Sequence, residues 1–138
     1  MKRFASILIL PFMISVAMAQ HTTSAPGARV YFINLKQDQH VTSPFLVQFG
    51  VTNMGIAPAG YEAEGTGHHH LFIDTEPPAG SGPVPMDERH RHYFSGQTEA
   101  IVSLPPGPHT LQLVFADSRH FLHEPPIVSE RISIFVDQ

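Results

Sequence analysis

Glycine and proline interrupt this chain so often that no long element fits between them. Among 138 residues there are 10 Gly and 13 Pro, and from Arg29 onward the apolar bursts between them run about five to nine residues. Bursts of that length are strand-sized, and no segment carries an apolar stripe at helical spacing. The expectation is therefore all-β, with strands over 29–34, 45–52, 68–74, 98–104, 109–116 and 127–136. His109, Leu111, Leu113 and Phe115 fall on one face of their strand, and Ile132, Ile134 and Val136 on one face of theirs. Pro105-Pro106-Gly107-Pro108 cannot continue a hydrogen-bonded ladder, so it forces a reversal. Asp38-Gln39-His40 and Ser43-Pro44 mark the link into the Phe45 strand. Short strands joined by tight turns and a few long loops fit an antiparallel β-sandwich of about seven strands.

The ends divide differently. Lys2 and Arg3 precede an apolar run from Phe4 to Val16, and Ala17-Met18-Ala19 follows as a small-x-small cleavage site. Residues 1–19 thus read as a signal peptide. The apolar run of about 13 residues is short for a membrane span. Residues 20–28, QHTTSAPGA, read as a flexible linker, and residues 29–138 as one sandwich domain. The expected location is periplasmic or secreted.

Charge and cysteine usage exclude several functions. Loss of Lys2 and Arg3 leaves 6 basic residues against 12 acids, a net charge of about −6 with histidines neutral, so nucleic acid is a poor partner. The chain has no cysteine. Thiolate zinc sites, cysteine nucleophiles and cysteine-ligated blue copper are ruled out. Ser95, Ser103, Ser118 and Ser129 lie in no Gly-x-Ser-x-Gly elbow, and no recognisable pair of carboxylates stands ready for acid-base work. The chain reads as a non-enzyme, with a metal-dependent hydrolase as a minor alternative.

Histidine is the excess. Ten are present, three of them consecutive in GTGHHHLFID at 65–74. In a sandwich whose Phe45 and His109 strands run up and whose His68 and Thr98 strands run down, loops 53–67, 86–97 and 117–126 meet at one rim. These loops and the strand ends they join carry Met54, His68, His69, His70, His90, His92, His120 and His123, while His40 and His109 fall at the opposite end. The strand period of two separates His68 and His70, expected to point across the sheet or toward the rim, from His69, which shares its face with Leu71 and Ile73 and is expected to point inward. Neutral imidazole suits copper, zinc and nickel, and a thioether favours Cu(I). His68, His70, His90, His92, His120, His123 and Met54 are the candidate ligands. His69, Asp117, Glu99 and Asp74 are candidates for orienting a ligating ring.

Two stretches, HVTSPFLVQFGV (40–51) and LPPGPHTLQLVFAD (104–117), resemble the second strand and penultimate hairpin of bacterial immunoglobulin-like and fibronectin-like domains. NMGIAPAG, GHHHLFID, HRHYFSGQTE and PGPHTLQLVFADSRH together resemble an uncharacterised family of small secreted bacterial domains of unknown function marked by Gly-His-His-His-Leu. The resemblance covers about residues 29–137 and implies the fold and an exported location. It carries no activity.

Two readings of function stand. In the first the protein is a periplasmic metal-binding module that holds copper, or less favourably zinc, for handling or delivery, with a periplasmic partner protein. In the second it is a non-catalytic interaction module whose histidines form a structural hydrogen-bond network. Met54 has its own plain alternative as a loop residue plugged against the core. Gly96-Gln97-Thr98-Glu99 is expected to bond back to loop backbone.

Overall fold

The computed structural model describes residues 21–77 and 81–138; the 1–19 segment lies outside them. The described residues form ten strands and no helix, so none is long and apolar enough to cross a membrane as a helix. They are β1 (Arg29–Phe32), β2 (Gln39–Thr42), β3 (Phe45–Thr52), β4 (Gly55–Ile56), β5 (Thr66–Ile73), β6 (His90–His92), β7 (Glu99–Val102), β8 (Gly107–Ala116), β9 (Leu122–Val128) and β10 (Ile132–Asp137). One sheet has the order β1-β3-β7; the other runs β2-β10-β8-β5-β4, with β6 on β5 and β9 on β8. This is the expected sandwich, enlarged from about seven strands by short pieces at its edges and not wholly antiparallel, since β2 runs parallel to β10 and β4 to β5.

The inner faces are apolar every second residue. Val30, Phe45, Val47, Phe49 and Val102 from one sheet meet Leu71, Ile73, Leu111, Leu113, Phe115, Ile134 and Val136 from the other, all buried. That alternation fixes the register, because a slip of one residue would turn each strand inside out. β3 and β7 are antiparallel, as are β5 and β8. The expected order within each sheet therefore holds. Ala59 N donates to Phe94 O and Gly60 N to Ser118 O, each at 2.8 Å, which gathers the three long loops at one end.

Three expectations need correction. The 127–136 segment is not one strand: Val128 opposes Val114 and Ile132 opposes Leu111, so four steps on one side match three on β8. Ser129 absorbs the extra residue, its Oγ accepting from Leu113 N at 2.9 Å and donating to Glu130 O at 2.7 Å. Residues 21–28 are not a free linker. Thr23 bridges Glu124, Ser24 N donates to Glu124 O at 3.0 Å, and Ser24 is buried. Backbone pairing, which polar composition does not forbid, ties this segment to β9.

The third correction concerns the outer face of β5. Every residue from Gly67 to Ile73 is buried, whereas a two-layer sandwich leaves its outer faces wet. Val84, whose N donates to His120 O at 2.7 Å, packs on that face in a second small apolar cluster with Phe72, Val114 and Ala116, and Leu122 and Val128 lie against it. His68 and His70 share that covered face with Phe72 by strand parity.

Candidate metal centre

β5 places the histidine triplet. Gly67 makes the placement sterically possible: a Cβ there would stand 2.4 Å from Ala116 O, 2.7 Å from the Phe115 ring and 3.0 Å from His123 Nε2. With no side chain at that point, His68 pairs with Ala116, His69 with Phe115 and His70 with Val114. On the other edge His70 pairs with His92 and Phe72 with His90 across β6. Opposed residues on one face of a sheet stand within side-chain reach, so His92 lands on His70.

Four imidazoles then converge. His70 Nε2 stands 3.0 Å from His68 Nε2, His68 Nε2 stands 3.1 Å from His92 Nε2, and His92 Nε2 stands 3.1 Å from His120 Nε2. The His70 and His92 rings are stacked, 4.7 Å apart at 8°. His68, His70 and His92 offer nitrogens that all lie within 4.8 Å of one another, close enough to hold a metal ion. His120 approaches from the side: its ring centroid is 4.5 Å from that of His92 but 5.1 and 5.9 Å from those of His68 and His70.

A ring nitrogen has one in-plane position, filled by a proton or a lone pair. In the series 70-68-92-120 the two inner nitrogens each face two neighbours, so at most two of the three contacts are full hydrogen bonds. A cation at their centre would take lone pairs from all of them. Bonds of 2.0 to 2.1 Å in a tetrahedral site put ligand nitrogens about 3.3 Å apart, close to the three consecutive spacings, while the group that meets mutually within 4.8 Å is His68, His70 and His92.

Burial keeps the rings neutral. His68 is fully buried, and burial first, then the neighbouring His92 and His120, lower its pKa to about 4 against an opposing pull from Asp117. Burial and the His68, His92 and His120 rings lower His70 further still. His92, half-buried, is lowered by burial and by His120. Neutral imidazole is the form that binds metal.

His69 takes the inward place expected of it, between Phe49 at 5.2 Å and Phe115 at 5.1 Å. Burial lowers its pKa to about 4; the carbonyls of Gly50 and Gln97 oppose that shift, yet neither ring nitrogen makes a hydrogen bond of ordinary geometry. His69 neither joins nor orients the cluster.

The other candidates are not brought to this point. His90 shares a side of β6 with His92 but lies one pleat further along, against Phe72 at 4.6 Å, with Nδ1 2.7 Å from Asp87 Oδ1. His123 is stacked beneath Phe115 at 5.9 Å and its Nδ1 meets Thr22 Oγ1 at 3.1 Å, so it faces the inner layer while its neighbour Leu122 faces the outer one. Met54 packs on the core and its sulfur accepts from Ala25 N at 3.5 Å. It fills the gap that a loop methionine ordinarily fills.

The orienting residues also differ from expectation. Glu99 is exposed at the start of β7 and accepts from Gln48 Nε2 at 3.1 Å. Asp74 is at the far end, on His109. Asp117 touches no ligating ring. It accepts from Thr22 Oγ1 at 3.0 Å and from the backbone N of Arg119 and Phe121, each at 2.9 Å. It therefore ties together the turn that carries His120, whose φ of 68° is left-handed. That conformation costs a side-chain-bearing residue on the order of 1 kcal/mol. Nδ1 of His68 and of His70 have no partner, and each such buried atom costs about 1–3 kcal/mol. Gln97 does bond back to the loop, its Oε1 accepting from Ser95 N at 2.8 Å.

No curated protein matches the chain, and no solved structure does. The model of a domain of unknown function, DUF4399, matches residues 47–137, which hold most of β3, all of β4 through β10 and all four converging histidines. The chain belongs to the DUF4399 family.

Proposed function

We propose that this protein is an exported metal-binding module in which His68, His70 and His92, with His120 beside them, hold one copper or zinc ion. The observation that carries the reading is the meeting of four Nε2 atoms in a series that hydrogen bonding alone leaves partly unsatisfied. An all-imidazole donor set suits both metals, and copper(II) binds such donors more tightly than zinc. Met54 lies elsewhere, which removes the support for a soft thioether ligand and for Cu(I). The amino-terminal 1–19 stretch, read as a signal peptide, would put the module in the periplasm or outside the cell. Its work there would be to buffer the ion or pass it to a partner protein.

The competing reading is an interaction module with a structural histidine network. It draws on the 3.0 to 3.1 Å spacings, which are hydrogen-bond lengths, and on the unpartnered Nδ1 atoms of His68 and His70, which a ligating ring normally has satisfied. Calorimetric titration of the untagged mature chain with Cu(II), Cu(I) and Zn(II) separates the two. We expect one ion per chain for the wild type and none for His70→Ala at the same concentrations. Dissociation constants no tighter than those of the urea-denatured chain would contradict the metal reading.

A further inference from the structure

We propose that, if the site holds a metal ion in the way just proposed, His120 is its displaceable ligand, and that a small monodentate anion takes the position it vacates. Three observations single it out. His68 and His70 sit on the buried central strand β5 and His92 on β6, hydrogen-bonded to it, so one continuous ladder fixes all three. His120 instead sits in the 117–121 turn, where the pairing of β8 with β9 loses its register. Its Nε2 meets that of His92, its ring standing edge-on to His68 and His70, and it and His92 are the half-exposed members, so the site opens to solvent on their side.

The third observation is the backbone. The turn is held without the imidazole: His120 N donates to Asp117 O at 2.9 Å, Val84 N donates to His120 O at 2.7 Å, and Asp117 Oδ1 caps Arg119 N and Phe121 N. The ring can swing away while those bonds stay. The left-handed φ of 68° is strain confined to this one of the four.

The chemistry of the entrant follows from charge. Three neutral imidazoles bring no negative charge to the ion, and the nearby Asp117 carboxylate, held by three donors, acts on the site only from a distance. An anion is therefore favoured over another neutral ligand in a part-buried site. The step is a simple exchange: the metal–Nε2 bond to His120 breaks, a metal–anion bond forms, and the imidazole leaves neutral.

The test uses the mature chain loaded with Co(II), whose visible bands report its coordination, and azide as the probe anion. His120→Asn is the variant of choice because Asn accepts a left-handed backbone, and circular dichroism checks its fold. We expect azide to change the Co(II) bands saturably, and to bind about tenfold more tightly to His120→Asn. Co(II) affinity should fall about tenfold in that variant, the scale of a lost supporting contact, and more than about a hundredfold in His70→Ala. Equal losses in the two variants, or bands that azide leaves unchanged in both, would overturn the inference while leaving metal binding intact. A wild-type chain that takes up no Co(II) overturns the metal reading itself.

Discussion

The two ends of the sandwich use histidine in opposite ways. At the lower end each ring meets an anion or a carbonyl: His40 Nδ1 lies 2.7 Å from Asp137 Oδ1, and His109 places Nδ1 2.7 Å from Asp74 Oδ2 and Nε2 2.8 Å from Pro105 O. At the upper end imidazoles face imidazoles. Burial works against charge on His109, yet the Asp74 hydrogen bond and the Pro105 carbonyl outweigh it and raise its pKa. His68 and His70 lie deeper, and burial first, then like neighbours in place of carboxylates, drives them down. Depth leaves the upper end to offer lone pairs, and a carboxylate partner lets the shallower lower end carry a proton.

The contrast makes opposite demands on pH, and the larger falls on the upper end. Above pH 6.5 the buried rings are neutral in both folded and unfolded chains and contribute nothing pH-dependent. Between 6.5 and about 4 the unfolded chain takes protons that folded His68 and His69 refuse, so stability falls as pH falls. A shift of that size is worth roughly 3 kcal/mol per ring when fully expressed. Urea unfolding of the metal-free protein should show a loss of at least that order between pH 7 and 4.5. A flat profile would mean the rings are charged or solvated, and the contrast would break.

Next in size is Gly67→Ala. Its Cβ would meet Ala116 O at 2.4 Å, a backbone atom that cannot swing aside. β5 must then part from β8 where His68 pairs with Ala116. We expect a loss of about 2–3 kcal/mol by thermal unfolding together with lost metal binding, while the His109 pair keeps its NMR titration. Unchanged stability would show that the triplet does not depend on this close approach.

The smallest effect sharpens the lower end. A raised histidine pKa stabilises fully below the unfolded value near 6.5, and that contribution vanishes as pH climbs through the folded value. Asp74→Asn keeps an oxygen for Thr110 N, which donates to Oδ1 at 2.8 Å, and removes the charge facing His109. The variant should lose about 1 kcal/mol at pH 5.5, the worth of one charge-assisted bond, and nothing above pH 8. Its metal affinity should equal the wild type's; a drop would show that the two ends are coupled.

Much of this arrangement is legible in the order of the residues alone. Alternation places β3, β5 and β8 within about two residues, and strand order then brings positions 68, 70, 92 and 120 to one end. The rest depends on details below that scale. His90 has the right spacing but opposes Phe72, because the register of β6 on β5 is set by the pairing and not by the spacing. His123 is adjacent to Leu122, and the parity of β9 sends the two to opposite layers. The 81–92 cover over β5 has no periodic signal, since Val84 is its single fully buried apolar side chain among exposed Pro, Met and charged residues. Without that cover His68 and His70 would be rim residues, and burial is what keeps them neutral.

Long-range 1H–15N spectra of the imidazoles, recorded before and after one equivalent of Zn(II), test the metal centre most directly. The Nε2 resonances of His68, His70 and His92 should move to metal-bound positions while those of His40, His90 and His109 stay in place. Shifts confined to His40, His90 or His109, or no shift at any ring, would contradict it.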